Sequence, residues 1–104
     1  MIIATTDNIA GKTIKETLGI VQGQVVQSKH LGSDFAAGLK TIVGGEIKGY
    51  TDMMNKARRV ATNRMVEEAK KLGADAIVGF RYGSSAVMTG ASEMLAYGTA
   101  VKLK

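Results

Sequence analysis

The chain has no cysteine, no proline and no tryptophan in its 104 residues, and only one histidine. Without cysteine, disulfides, thiolate zinc sites, iron–sulfur clusters and thiol nucleophiles are excluded. Aromatic side chains make up 5% of the chain, too few to interleave with basic residues as stacking platforms do in RNA-binding modules. No stretch approaches the ~20 consecutive apolar residues of a membrane-spanning helix. Met1–Asp7 has neither the basic start nor the apolar run of a secretory signal. The expectation is a cytoplasmic protein with no membrane segment.

What is present is small and apolar. Glycine and alanine together supply 26 of 104 residues, and 45% of the chain is hydrophobic. A chain of this length can bury about 65% of its unfolded surface, enough for one core, so residues 1–104 are expected to form a single domain. The net charge is +5 and is unevenly spread. Residues 52–71 carry Lys56, Arg58, Arg59, Arg64, Lys70 and Lys71 against only Asp52, Glu67 and Glu68, and hold most of the excess.

That segment is also the clearest structural element. Tyr50, Met53, Met54, Ala57, Val60, Ala61, Met65, Ala69 and Leu72 recur at helical spacing. The pattern predicts a helix over 51–72, with Thr51 as N-cap, Gly73 as C-cap, and Asp52–Lys56 and Glu67–Lys71 as ion pairs. Ala74–Tyr82 reads as a strand with Ala76, Val78, Phe80 and Tyr82 on one face. Gly83–Ser92 reads as a turn region, and Glu93–Leu103 as the second arm of an antiparallel hairpin. Ile2–Thr5 is a short strand; 13–28 predicts one or two more, interrupted by a bulge at Gln22-Gly23-Gln24. Ser33–Val43 reads as a short helix ending at Gly44-Gly45. The order predicts an α+β fold, an antiparallel sheet with one long helix packed on it. The last two strands are apolar or small on both faces, and one helix covers only one of them. Self-association is the expected cover, with a small barrel closed by the N-terminal strands as the alternative.

The chemical motifs are weak. Gly11-Lys12-Thr13 follows a strand, but a phosphate loop needs glycine where Thr6 stands, and no helix follows. His30 and Asp34 are two metal-donor types four residues apart, short of a site. Ser28 and Ser33 flank His30 without the third group that would orient a base. The basic residues of the long helix, Lys56, Arg58, Arg59, Lys70 and Lys71, are candidates for phosphate contacts, set against the ordinary solvated face of an amphipathic helix.

Taken together, Gly44-Gly45-Glu46, Tyr50, Arg58-Arg59, Ala61, Arg64-Met65, Ala69, Leu72-Gly73-Ala74-Asp75-Ala76-Ile77-Val78-Gly79 and the closing Glu93–Val101 resemble the YbjQ-like family over essentially the whole chain. The resemblance implies a β-α-β-β core like the dodecin subunit, assembled as a ring, commonly a homopentamer. Members are of unknown function, some labelled as heavy-metal binding, and the family supplies no ligand or catalytic residues to carry over. On this basis Glu46, Tyr50, Arg58 and Arg64 are the candidate ligand or interface residues, with Glu46 and Arg64 as an ion pair across an interface or the lining of a site. The resulting expectation is a non-enzymatic ring subunit, without a cofactor, that binds a small ligand or ion between subunits. Nucleic-acid or acidic-partner binding through the helix is the alternative, and metal binding the third reading.

Overall fold

The computed structural model describes residues 1–28, 42–43 and 46–104. In chain order these form β1 (Ile2–Ile3), β2 (Ile14–Ser28), β3 (Ile42–Val43), β4 (Glu46–Ile47), helix α1 (Lys48–Lys71), β5 (Ala76–Met88) and β6 (Ala91–Leu103). Four strands make one sheet in the order β1-β5-β6-β2, while β3 and β4 pair with each other. The α+β expectation holds with one correction. β1 runs parallel to β5, Ile2 opposite Ala76 and Ile3 opposite Ile77, so the sheet is mixed rather than antiparallel. No hairpin joins β1 to β5, and its direction is therefore not dictated by a tight turn.

Helix α1 begins three residues before the expected start. Half-buried Tyr50 adds one more turn to the apolar stripe of Met53, Met54 and Ala57, so Thr51 lies inside the first turn and does not cap it. The fully buried positions are Met53, Ala57, Ala61, Met65 and Ala69, an unbroken i,i+4 row in which three of five side chains are alanine. Small side chains along that row let the helix backbone approach the sheet closely. At the other end Gly73 has φ +77°, the Ala74 N–H donates to Ala69 O at 3.1 Å, and the Gly73 N–H to Lys70 O at 2.9 Å. This is a Schellman cap. The ion pairs are Glu67–Lys70 at 3.7 Å and Glu68–Lys71 at 3.2 Å, one residue closer in sequence than expected for Glu67, and no Asp52–Lys56 pair forms. All four side chains are more than half exposed, so each pair contributes a few tenths of a kcal/mol, about 0.3–0.5.

β2 is one strand of 15 residues, not two. Its register with β6 is unbroken from Ile20↔Thr99 to Ser28↔Ala91, and the irregularities lie earlier, at 14–16 and 17–19. Gly23 is therefore no bulge. A Cβ at this position would overlap the Ala61 carbonyl oxygen and the Met65 amide nitrogen of α1. The glycine is where the helix rests on the strand.

The hairpin is longer than the sequence suggests. β5 and β6 continue through residues expected to be a turn region and meet at Thr89-Gly90, where Gly90 has φ +78°. The face assignment of β5 also changes partway along. Gly79 and Phe80 together stand opposite the single residue Gly98, and Gly79 has φ +62°, the geometry of a glycine bulge. The extra residue reverses the alternation. Ala76 and Val78 belong to the face away from α1, with Val101, Ile9, Ile14 and Leu103. Phe80 packs into the helix-side core, and Tyr82 reaches Thr62 of α1 at 2.9 Å.

The helix-side core joins Val21, Val25, Ala57, Ala61, Met65, Ala69, Ile77, Met94, Ala96 and Ala100. On the opposite face Ile9 and Ile14 cover one end of the sheet. Further along, Ile20 is 81% exposed and Val26 56%, with Tyr97 between their rows at 39%. The helix thus covers one face only, as the sequence predicts. Most of the expected Ser33–Val43 helix, together with His30 and Gly44-Gly45, lies outside the described residues; Ile42 and Val43, however, are extended and pair with Ile47 and Glu46. The chain either side of Gly44-Gly45 is therefore strand where a helix end was expected. No helix among the described residues is long and apolar enough to cross a membrane.

Candidate functional site

α1 crosses β2 and β6, and β2 is the outermost strand of the sheet. Where the helix overhangs that edge, a groove of about 770 Å³ opens. Its floor is Ile20, Val21, Gln22, Gly23 and Gln24 of β2, and its wall is Val60, Asn63, Arg64, Glu67, Glu68, Lys71 and Leu72 of α1. Arg64 Nη1 donates to the Gln24 carbonyl at 2.6 Å. Gln24 in turn sends its side chain to the far face of the sheet, where Nε2 donates to Glu93 Oε2 at 2.6 Å. Lys71 Nζ lies 3.2 Å from Glu68 Oε1 at the end of the wall. The lining combines strand backbone and the aliphatic side chains of Val60 and Leu72 with two cations, two carboxylates and the Asn63 amide, and contains no serine, threonine or histidine. None of these groups forms a nucleophile–base pair.

The four residues singled out from the sequence do not converge in one chain. Arg64 lines the groove. Arg58 is half-buried, donates from Nη1 to Asn55 Oδ1 at 2.9 Å, and lies about 120° further around the helix, on the flank that Thr62 presents to Tyr82. Tyr50 is half-buried in the first turn. Glu46 lies in β4, just before the helix begins. From Lys48 to Arg64 the helix rises about 24 Å, so Glu46, which precedes the helix, and Arg64 are not neighbours within one chain.

The basic residues are also dispersed. Lys56, Arg59 and Lys70 share an exposed stripe with Asp52, Asn63 and Glu67; Lys71 faces the groove, and Arg58 the opposite flank. Lys70 and Lys71 are neutralised by Glu67 and Glu68. What sequence reading missed is the groove itself, above all Asn63, Val60 and the backbone carbonyl of Gln24. Their common signal is the glycine at 23, which brings helix and strand together; nothing in the pattern says that β2 lies at the sheet edge.

Metal donors are sparse. No group of three or more His, Cys, Asp or Glu side chains is close enough to hold an ion among the described residues. Met53, Met65 and Met94 are committed to the core, while Met88 is 70% exposed by itself at the end of β5. Soft metals need clustered thiolate, thioether or imidazole donors, and the described residues of one chain do not provide such a set.

A family model described as "putative heavy-metal-binding" matches residues 1–104. The chain is 62% identical over 104 residues to a UPF0145 protein of Thermotoga maritima, covering 100% of this chain and 98% of that one. It is 60% identical over 103 residues to a UPF0145 protein of Clostridium novyi, covering 99% of each. The fold is similar to the crystal structure of a protein of unknown function from Pediococcus pentosaceus, assigned to the DUF74 family. The TM-score is 0.65 at 18% identity, over 100% of this chain and 98% of that one. The chain belongs to the YbjQ-like family, whose curated relatives carry the name UPF0145 protein.

Proposed function

We propose that the protein is the subunit of a homo-oligomeric ring, and that it binds a small ligand in the α1–β2 groove at the boundary between neighbouring subunits. The observation that carries this reading is the groove's construction. One wall is helix and the floor is strand, while the side beyond the β2 edge has no neighbouring strand among the described residues. A site of that kind is finished by a second chain. The exposed apolar side chains of the opposite sheet face, Ile20, Val26 and Tyr97, support association too.

The lining specifies the ligand class. Val60 and Leu72 offer aliphatic contact, Arg64 a forked cation suited to a carboxylate or phosphate, and Asn63 an amide. A small organic anion with an apolar body fits this set better than a bare metal ion. Native mass spectrometry of protein purified without chelator tests both parts. The expected spectrum is a ring mass carrying a reproducible extra mass, lost in Arg64→Ala while the ring remains. A bare monomer would overturn the assembly, and an unchanged extra mass in Arg64→Ala would overturn the site.

A further inference from the structure

Arg64 and Glu68 stand one turn apart on the groove wall, with about 6 Å of helix rise between them. Opposite charges at this spacing can pair across the turn. Here they do not. Arg64 turns to the strand, where Nη1 donates to the Gln24 carbonyl at 2.6 Å, and Glu68 turns to Lys71 at 3.2 Å. A guanidinium and a carboxylate thus line the same groove without meeting each other.

Neither group is used up by the partner it has. A guanidinium has donors to spare after one bond to a carbonyl, and a neutral carbonyl does not cancel its charge. The Glu68–Lys71 pair is exposed, with side chains 53% and 71% accessible, so it yields to a better partner at little cost. Glu67 is held by Lys70 at the longer distance of 3.7 Å. The wall carries Arg64 and Lys71 against Glu67 and Glu68, and its charges cancel. A simple cation there would be repelled by Arg64. A dianion reaching from Arg64 to Lys71 would lie across both carboxylates. A monoanion answers Arg64 alone.

A ligand with both charges answers both groups. Val60 lies one turn before Arg64, and Leu72 one turn after Glu68, so the charged pair has aliphatic surface at either end. We infer that the groove selects a small aliphatic zwitterion, with its carboxylate on Arg64, its ammonium on Glu68 and its hydrocarbon part against Val60 and Leu72. This is the chemistry of an aliphatic amino acid or of a short peptide with free ends. The inference rests on the groove site proposed above and adds the second charge of its ligand.

Calorimetric titration of the full chain with leucine and with leucylleucine separates the two lengths of ligand. The N-acetyl and C-terminal amide forms of each compound keep the hydrocarbon body and delete one charge apiece. The expected result is saturable binding of at least one free compound, weakened about tenfold or more in either capped form. Glu67→Gln/Glu68→Gln should erase the advantage of the free amine over the N-acetyl form, and Arg64→Ala should remove binding of both. These side chains are exposed, and an unchanged melting temperature shows that each variant is folded. An N-acetyl form that binds as tightly as its parent overturns the zwitterion and leaves the anion site standing. An amide that binds as tightly, or a free amine that keeps its advantage in Glu67→Gln/Glu68→Gln, overturns the placement of the charges. No binding of either free compound at millimolar concentration overturns this ligand class, whereas the groove itself falls only if the extra mass on the ring survives Arg64→Ala.

Discussion

Gly23 of β2 and Ala61 of α1 meet backbone to backbone: the space a Cβ would need on Gly23 is already filled by the Ala61 carbonyl oxygen. The alanines at 57, 61 and 69 complete the same contact from the helix side, and all three are essentially inaccessible. Gly23→Ala must therefore push the helix away from the strand that floors the groove. Overpacking of a tight core costs about 1–3 kcal/mol, and with helix backbone as the obstacle the upper end is expected. Urea denaturation of Gly23→Ala against the parent chain measures it. Gly83→Ala, at a position with nothing within 4 Å, is the control and should be close to neutral. Equal stability of the two variants would show that the helix does not rest on Gly23.

A second relationship fixes the other flank of the helix. Thr62 Oγ1 donates to the Arg58 carbonyl at 2.7 Å, which uses its only hydrogen. In the 2.9 Å contact with Tyr82 the phenol is consequently the donor. Tyr82→Phe should cost about 0.5–1.5 kcal/mol, the net value of one hydrogen bond, without loosening the edge-on Phe80 contact at 4.7 Å. Thr62→Val should cost a similar amount. The double variant should cost less than the sum of the two, and strict additivity in the thermodynamic cycle would mean that the two hydroxyls do not interact.

The helix was legible because its apolar stripe, flanking charges and terminal glycine all indicate the same element over 24 residues. Its start was misplaced because Thr51 is a good cap by type, while Tyr50 has enough apolar surface to continue the stripe. The β5 face was misread for a subtler reason. Ala76, Val78, Phe80 and Tyr82 alternate perfectly, and only the positive φ of Gly79 moves the last two to the helix side. The local cue was a glycine at 79, and its meaning depends on Gly98 lying opposite. A Cβ on Gly98 would lie 2.6 Å from Ile77 Cγ2 and 3.0 Å from the Val78 carbonyl oxygen. The parallel placement of a two-residue β1, and the position of β2 at the edge, are tertiary facts with no local signature. The groove was invisible for the same reason. Arg64 was found because the resemblance drew attention to it; Gln24 and Asn63 are ordinary surface residues until helix and edge strand are placed together.

Metal binding is open to a simple measurement. The carboxylates that line the groove, Glu67 and Glu68, are each occupied by a lysine three residues on, and no third donor joins them among the described residues. Dialysis against zinc or cadmium followed by elemental analysis should leave well under one ion per chain, and added metal should not raise the melting temperature as a native-state ligand must. Stoichiometric metal lost on His30→Ala would locate a site beyond the described residues and revive the metal reading.

Nucleic-acid binding makes the opposite demand, for many cations on one surface. Each neutralised phosphate steepens the salt dependence of binding by about 0.9 in log K for duplex DNA, so a real interface reveals its size in that slope. The helix presents Lys56, Arg59 and Lys70 on one stripe, interrupted by Asp52 and Glu67, while Arg58 and Lys71 lie on opposite flanks. At most about three phosphates can be met at once, and Lys70 must first give up Glu67. Retention on RNA or duplex DNA should therefore be weak, vanish at moderate salt, and be unaffected in Arg58→Glu/Arg59→Glu beyond what the change in net charge gives. A slope requiring six or more phosphates on the scale of about 0.9 each, abolished by that double substitution, would make the helix face the functional surface and the groove incidental to it.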